Sequence, residues 1–215
     1  NKIKEKEIVK LSWENFNNLF KYDYKKNKTH DFFFNKKTIN ELWFNKKKHE
    51  LIDEELYNAS HRFKWLLFDL EKKFNRTICN KNFNLIKKWS DNFKNPDQSI
   101  AWHPYNVSER ICNLIIFFNY QNTLIGPNND IDIFIKTLIN THTYYLLDNL
   151  EYPASKIVNN HILNNSRALY FISIFTNNDQ ILLFSKILIK QNLPKMLSKN
   201  YVLNEASTHY HFLAT

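Results

Sequence analysis

Apolar residues recur along most of this chain at three- and four-residue intervals, the spacing of one face of an α-helix. Leu51, Leu56, His61, Phe63, Leu66 and Leu67 form one such stripe, predicted to end near Phe74. Phe83, Leu85, Ile86 and Trp89 predict a second helix over 82–92. The segment 93–105 is polar, holds Pro96 and Pro104, and reads as a loop. A third helix is predicted over 108–119, with Ser108 as its cap and Ile111, Leu114, Ile115 and Phe118 on one face. Gly126-Pro127 ends that unit. A helix over 130–147 follows, through Ile131, Phe134, Ile135, Leu138 and Tyr145, broken at Tyr152-Pro153. Two more are predicted over 158–175 and 179–193, the last stopped at Pro194. The tail from Tyr201 is polar, and 208–215 begins an apolar element that the chain end interrupts.

Composition sharpens this picture. The 215 residues contain one Gly and five Pro. A β-sandwich or barrel needs a turn signal every ~8–12 residues, and these residues cannot supply it. A single Gly also removes every glycine-rich phosphate loop. Hydrophobic residues make up 43% of the chain and charged ones 24%, enough for a packed core. Consecutive amphipathic helices with short connections predict an all-α array of helical hairpins. No fixed repeat period emerges. Residues 1–50 read differently, as a basic arm carrying Trp13, Phe16, Phe20, Tyr22, Tyr24 and Phe32 to Phe34, with one or two short helices; residues 51–215 form the helical domain.

The net charge of +9 is unevenly spread: +6 over residues 1–50, 0 over 51–150 and +3 over 151–215. It admits an anionic partner, though the Lys clusters at 25–28 and 46–48 also read as solvated faces. No nucleic-acid-binding motif gathers these bases on one element, so nucleic acid is not expected as a partner. No apolar run approaches the ~20 residues of a membrane span, and no leader peptide is visible. Cys79 and Cys112 make neither a disulfide framework nor a zinc site and read as buried small hydrophobes.

Three stretches carry polar side chains where the pattern calls for apolar ones. Asn159-Asn160-His161 opens a helix; the Asn residues are natural caps, or Asn160 and His161 face a cleft where amide, imidazole and helix dipole neutralise a carboxylate. Asn204 to His211 sets two histidines about Tyr210, a candidate acid or base, without spacing for a metal site. Trp102 to Arg110 puts an arginine beside an apolar stripe, where it either pairs with Glu109 or another acid or binds an acidic sugar. His61 and His142 are single histidines near apolar faces, read either as satisfied core groups or as ligands.

Taken in order, these stretches resemble the N-terminal α/α toroid domain of the heparinase II/III-type polysaccharide lyases. Asn58-Ala-Ser-His-Arg-Phe63 resembles the start of the first toroid helix. Trp102 to Phe118, with Arg110-Ile111-Cys112-Asn113-Leu114, resembles the family's Trp followed by Arg-Ile-x-Asn-Trp, with Leu114 in place of the last Trp. His142 and Tyr145 match an aromatic-containing helix. Asn160-His161-Ile162-Leu163 resembles Asn-His-Leu-Leu, and Glu205-x-Ser207-x-x-Tyr210-His211 the closing Glu-x-Ser-x-x-Tyr-His. The family's Asp-Gly before that motif is Lys199-Asn200 here.

The resemblance implies an incomplete α/α toroid whose C-terminal β-sandwich domain is missing from this chain. It implies β-elimination on a uronic-acid polysaccharide such as heparan sulfate or alginate. Asn160 and His161 would then neutralise the sugar carboxylate and Tyr210 serve as acid and base, while His211, Arg110, His61, Glu205, Trp102 and His142 bind or orient substrate. No metal or organic cofactor is implied, and the place of work would be the periplasm or outside the cell. Two other readings of the residues stand beside it. One is a helical domain that holds acidic glycan without cutting it. The other is a toroid glycoside hydrolase, which needs two carboxyl groups ~5–9 Å apart, with Glu109 and Glu205 as candidates.

Overall fold

The computed structural model describes residues 39, 42–44, 54–68, 74–96, 99–152 and 160–197. All regular elements among them are helical, in agreement with the all-α expectation. They are α1 (Glu54–His61), α2 (Trp65–Phe68), α3 (Arg76–Asn92), a 3₁₀ turn (Ile100–Trp102), α4 (Pro104–Leu124), α5 (Asn129–Asp148), α6 (Asn160–Phe175) and α7 (Asp179–Met196). Leu42, Trp43 and Phe44 are also helical. Among the described residues no helix is long and apolar enough to cross a membrane.

Three boundaries start from a cap that the spacing of apolar residues does not reveal. The side chains of Asn75, Asn128 and Asn178 accept from the backbone N–H of Ile78, Ile131 and Ile181 at 3.0, 3.1 and 2.8 Å. Each closes an orphan donor of the first turn, worth about 1 kcal/mol against alanine. The first of these caps lets α3 begin six residues before the predicted Asn82. Helix α4 likewise starts earlier than expected. Pro104 takes its first turn, where a missing N–H costs nothing, and the His103 ring accepts from Tyr105 N–H at 3.3 Å. Ser108 is therefore no cap but a buried position inside α4. At the far end α7 runs through Pro194 to Met196, because a proline in the last turns forfeits a single ladder bond.

The stripe predicted from Leu51 to Phe74 is not one helix. It breaks between His61 and Trp65, where Phe63 sits at φ 63°. A side chain with φ in that region costs about 1–2 kcal/mol. Burial of the ring offsets this: Phe63 is fully enclosed, with the rings of Trp89 at 5.2 Å and Trp65 at 5.5 Å. Two other turns need their own residues. Gly126 at φ 93° separates α4 from α5, and the Gln121 side chain donates to its carbonyl at 2.9 Å. Asn177 at φ 50° ends α6, with Asn178 N–H returning to the Ser173 carbonyl at 2.9 Å in a Schellman closure.

The chain divides into two compact units. The described part of the first runs from Ile39 to Asn149. There α4 packs against α5 and also receives α1, α2 and the 3₁₀ turn. Its core is aromatic, and all four of its buried indoles find an acceptor: Trp43 on Ser60 Oγ, Trp65 on the Ser60 carbonyl, Trp89 on His61 Nδ1, and Trp102 on the Phe93 carbonyl. The second unit, described from Leu150 to Tyr152 and over 160–197, is the α6–α7 hairpin. Ile162 and Met196 are buried there against Leu150, Leu163 and Leu197.

Candidate functional site

In the first unit, four of the residues singled out from sequence meet around one guanidinium. Arg110 on α4 is 0% exposed. Its Nε donates to His142 Nε2 at 2.8 Å, Nη1 to the His61 carbonyl at 2.7 Å, and Nη2 to the Ala101 carbonyl at 2.9 Å. Its carbon lies 4.2 Å from the centre of the Trp89 ring and 5.8 Å from that of Trp102. Neither Glu109 nor any other carboxylate is among its partners in the described residues. A buried cation without an anion is held here by carbonyl dipoles and ring faces. Burial pushes the guanidinium well below its ordinary range, while its three hydrogen-bond acceptors favour the charged form.

The hydrogen bonds fix the histidine tautomers. His142 Nδ1 lies 2.6 Å from the Leu138 carbonyl, which can only accept, so Nδ1 carries the proton and Nε2 receives Arg110. Burial, then the Arg110 charge, hold His142 well below the usual histidine range, so it is neutral. Its ring stacks on Trp102 at 4.9 Å with 12° between planes. His61 accepts from the Trp89 indole at 2.9 Å, which places its proton on Nε2. The side chains of His61, Trp102, Arg110 and His142 are closed to solvent; Arg110 bonds His142 and faces Trp102, which stacks on His142, while the His61 ring is held by Trp89.

The neighbouring residues of the Asn58–Phe63 and Trp102–Phe118 stretches complete the network. Arg62 bonds Asn106 at 2.8 Å and Glu55 at 2.7 Å, Asn106 bonds Asn58 at 3.1 Å, and Asn113 bonds the Arg62 carbonyl at 2.8 Å. A cleft of about 170 Å³ opens beside Trp89 and Trp102, edged by Phe93, Lys94, Thr137 and Thr141. Ligand pockets run from ~300 Å³ upward, so it has room for waters rather than for a sugar unit. Cys79 is buried, and burial, with the Asp132 charge, pushes its thiol up to about 11, so it is unreactive at neutral pH.

The second unit holds the accessible chemistry. Asn160 and His161 form the start of α6, Asn160 half-buried and the His161 side chain 36% exposed. The first turn of α6 carries no acid of its own. Instead Glu151, just before the helix in sequence, places Oε1 at 2.7 Å from His161 Nδ1. Asn165, one turn into α6 and fully buried, accepts from Glu151 N–H at 2.9 Å and donates to Glu151 Oε2 at 3.1 Å. The sequence pattern did not single out Glu151 or Asn165. One signal was present: Glu151 is the single acid between Asp148 and Asp179. Glu205, Tyr210 and His211 lie outside the described residues.

No known protein family, curated protein or solved structure matches the chain.

Two outcomes follow from the Arg110 cluster. Arg110→Met leaves two backbone carbonyls and His142 Nε2 buried without a donor, and no substitution can remove those carbonyls. Urea denaturation is expected to show a loss of about 3 kcal/mol or more; a loss under about 1 kcal/mol would contradict the network. The second outcome concerns pH. His142 is held neutral in the folded chain, so its contribution is whole above the unfolded value of about 6.5 and declines as pH falls, by up to about 1.4 kcal/mol per pH unit. The stability advantage of wild type over His142→Gln is therefore expected to narrow between about pH 6.5 and pH 5. A gap that stays constant over that range would show that His142 takes up its proton equally well in the folded chain.

Proposed function

We propose that this chain is the helical part of a polysaccharide lyase that cleaves a uronic-acid polymer by β-elimination. The observation that carries the reading is the pairing of an accessible amide and imidazole, Asn160 and His161, on the first turn of α6. A helix start favours an anion, and the same residues carry the resemblance to the heparinase II/III-type lyases. The +3 charge of residues 151–215, with exposed Lys186 and Lys190 on α7, also suits an anionic chain.

The chemistry asks for three things. The C5 proton of a uronate is weakly acidic while the adjacent carboxylate is charged, so the carboxylate must be neutralised as charge builds in the transition state. In this reading the Asn160 amide and the α6 N-terminus do so. The C5–H bond breaks and its electron pair is held on the enolate of the neutralised carboxylate; that pair becomes the C4–C5 double bond as the C4–O4 bond breaks. Tyr210 gives its proton to the departing O4 and, where both groups leave from one face, also accepts the C5 proton. Arg110, His142, His61 and Trp102 act in support, fixing the helices of the first unit. Such a substrate puts the place of work in the periplasm or outside the cell.

The test is the ultraviolet absorbance of the unsaturated uronate when the protein meets heparan sulfate, alginate and related polymers. Wild type is expected to generate it, and Asn160→Ala and Tyr210→Phe to lose it by at least about 10²-fold with helical circular dichroism intact. Binding of acidic polymer without new absorbance would make this a glycan-binding domain instead. Undiminished turnover in both variants would end the assignment of the site.

A further inference from the structure

Glu151 is held at two points by one buried residue. Its backbone N–H and one carboxylate oxygen both engage the Asn165 amide, at 2.9 and 3.1 Å. Its other oxygen is thereby directed to His161 Nδ1 at 2.7 Å. His161 and Asn165 are four residues apart on α6, so they share a face of the helix. The Glu151 side chain is 17% exposed against 36% for His161, so the carboxylate is the inner member of the pair and the imidazole the outer.

A carboxylate only accepts, so the short contact requires the proton on Nδ1 and leaves the lone pair on Nε2. The same logic decides what His161 can do. A protonated imidazole beside Glu151 makes a pair with no net charge, a weak counter-ion for a second carboxylate. Nε2, by contrast, is the ring atom left to accept a proton, the arrangement in which an aspartate orients a catalytic histidine. We propose that Glu151 is a positioning residue that locks His161 in the Nδ1–H form and makes Nε2 a proton acceptor. Within the lyase reading, on which this extension rests, neutralising the sugar carboxylate falls to Asn160 and the helix start. His161 takes the C5 proton when that proton lies on the face away from the leaving oxygen; the C–H electron pair forms the C4–C5 double bond, and O4 departs with a proton from Tyr210.

Nitrogen-15 spectra of the imidazole side chains of the full chain, with His161 assigned by a His161→Gln control, read the tautomer without any activity. Wild type is expected to show Nδ1 protonated and Nε2 bare at mildly alkaline pH. Glu151→Leu should move the proton to Nε2, and so should Glu151→Gln, whose single oxygen is kept by the Asn165 amide donor and whose NH2 then faces Nδ1. A wild-type His161 protonated on Nε2 overturns the proposal by itself, even should the leucine variant not fold; so does an unchanged tautomer in a folded Glu151→Leu. Turnover supplies the second arm. Glu151→Gln removes both the charge and the acceptor that faces Nδ1, so kcat on a uronate polymer should fall on the order of 10²-fold with KM within about twofold. A loss carried by KM would mean that Glu151 contacts substrate and overturns the positioning role. Wild type with the expected tautomer and no turnover on any uronate polymer would remove the lyase reading while leaving the Glu151–His161 assignment in place.

Discussion

A guanidinium with no carboxylate partner among the described residues lies at the centre of the first unit, and most of what surrounds it follows from the need to satisfy it. Removing a charge from water costs several kcal/mol even after relaxation. Arg110 recovers that cost through carbonyls from two chain segments, the His142 ring and the face of Trp89. Each partner is constrained in turn. The carbonyl of His61 is available because α1 stops there, and α1 stops there because Phe63 adopts a left-handed backbone. The Ala101 carbonyl is available because a 3₁₀ turn precedes α4. His142 accepts because Leu138 holds its other nitrogen as a donor. One side chain thus ties the end of α1, the turn before α4 and the middle of α5 to α4. Half-satisfied polar networks are costly, whereas fully satisfied ones specify a single arrangement.

How much of this could be read from sequence depended on the kind of signal. The helices from Asn129 to Asp148 and from Asp179 onward were legible because their apolar residues recur at helical spacing and Asp or Asn marks the start. The break at Phe63 was not, since a phenylalanine in that backbone region is chosen by the packing of three tryptophans around it and not by any local preference. Helix starts were misplaced at Arg76 and Pro104. In a chain so rich in asparagine, Asn75 did not stand out as a cap, although Asn75-Arg-Thr-Ile78, Asn128-Asn-Asp-Ile131 and Asn178-Asp-Gln-Ile181 share one spacing. Proline at 194 suggested an end where the helix runs two residues further.

The candidate site was legible in part. His61, Trp102, Arg110 and His142 were each marked as polar or aromatic groups interrupting an apolar pattern, and the fold brings all four together. Their convergence is a fact of tertiary structure that no local spacing expresses. His61 and His142 lie in the core, one of the two readings open to them; the burial of Arg110 and Trp102 beside them, which makes the cluster a brace, was not legible. In the second unit the reverse holds. Asn160 and His161 were marked and remain accessible, but the residue that gives His161 its chemical character, Glu151, lies ten positions earlier outside any helix. Only the contact between them reveals it.

The hydrogen bond from Arg110 Nε to His142 Nε2 can be observed directly in nitrogen-15-labelled protein. A bond of 2.8 Å in a site closed to solvent predicts one slowly exchanging Nε–H resonance, displaced by the Trp89 ring, with scalar coupling to the His142 nitrogen. An Arg110 Nε–H that exchanges with water as fast as those of exposed arginines, and shows no such coupling, would contradict the buried guanidinium on which the first unit is built.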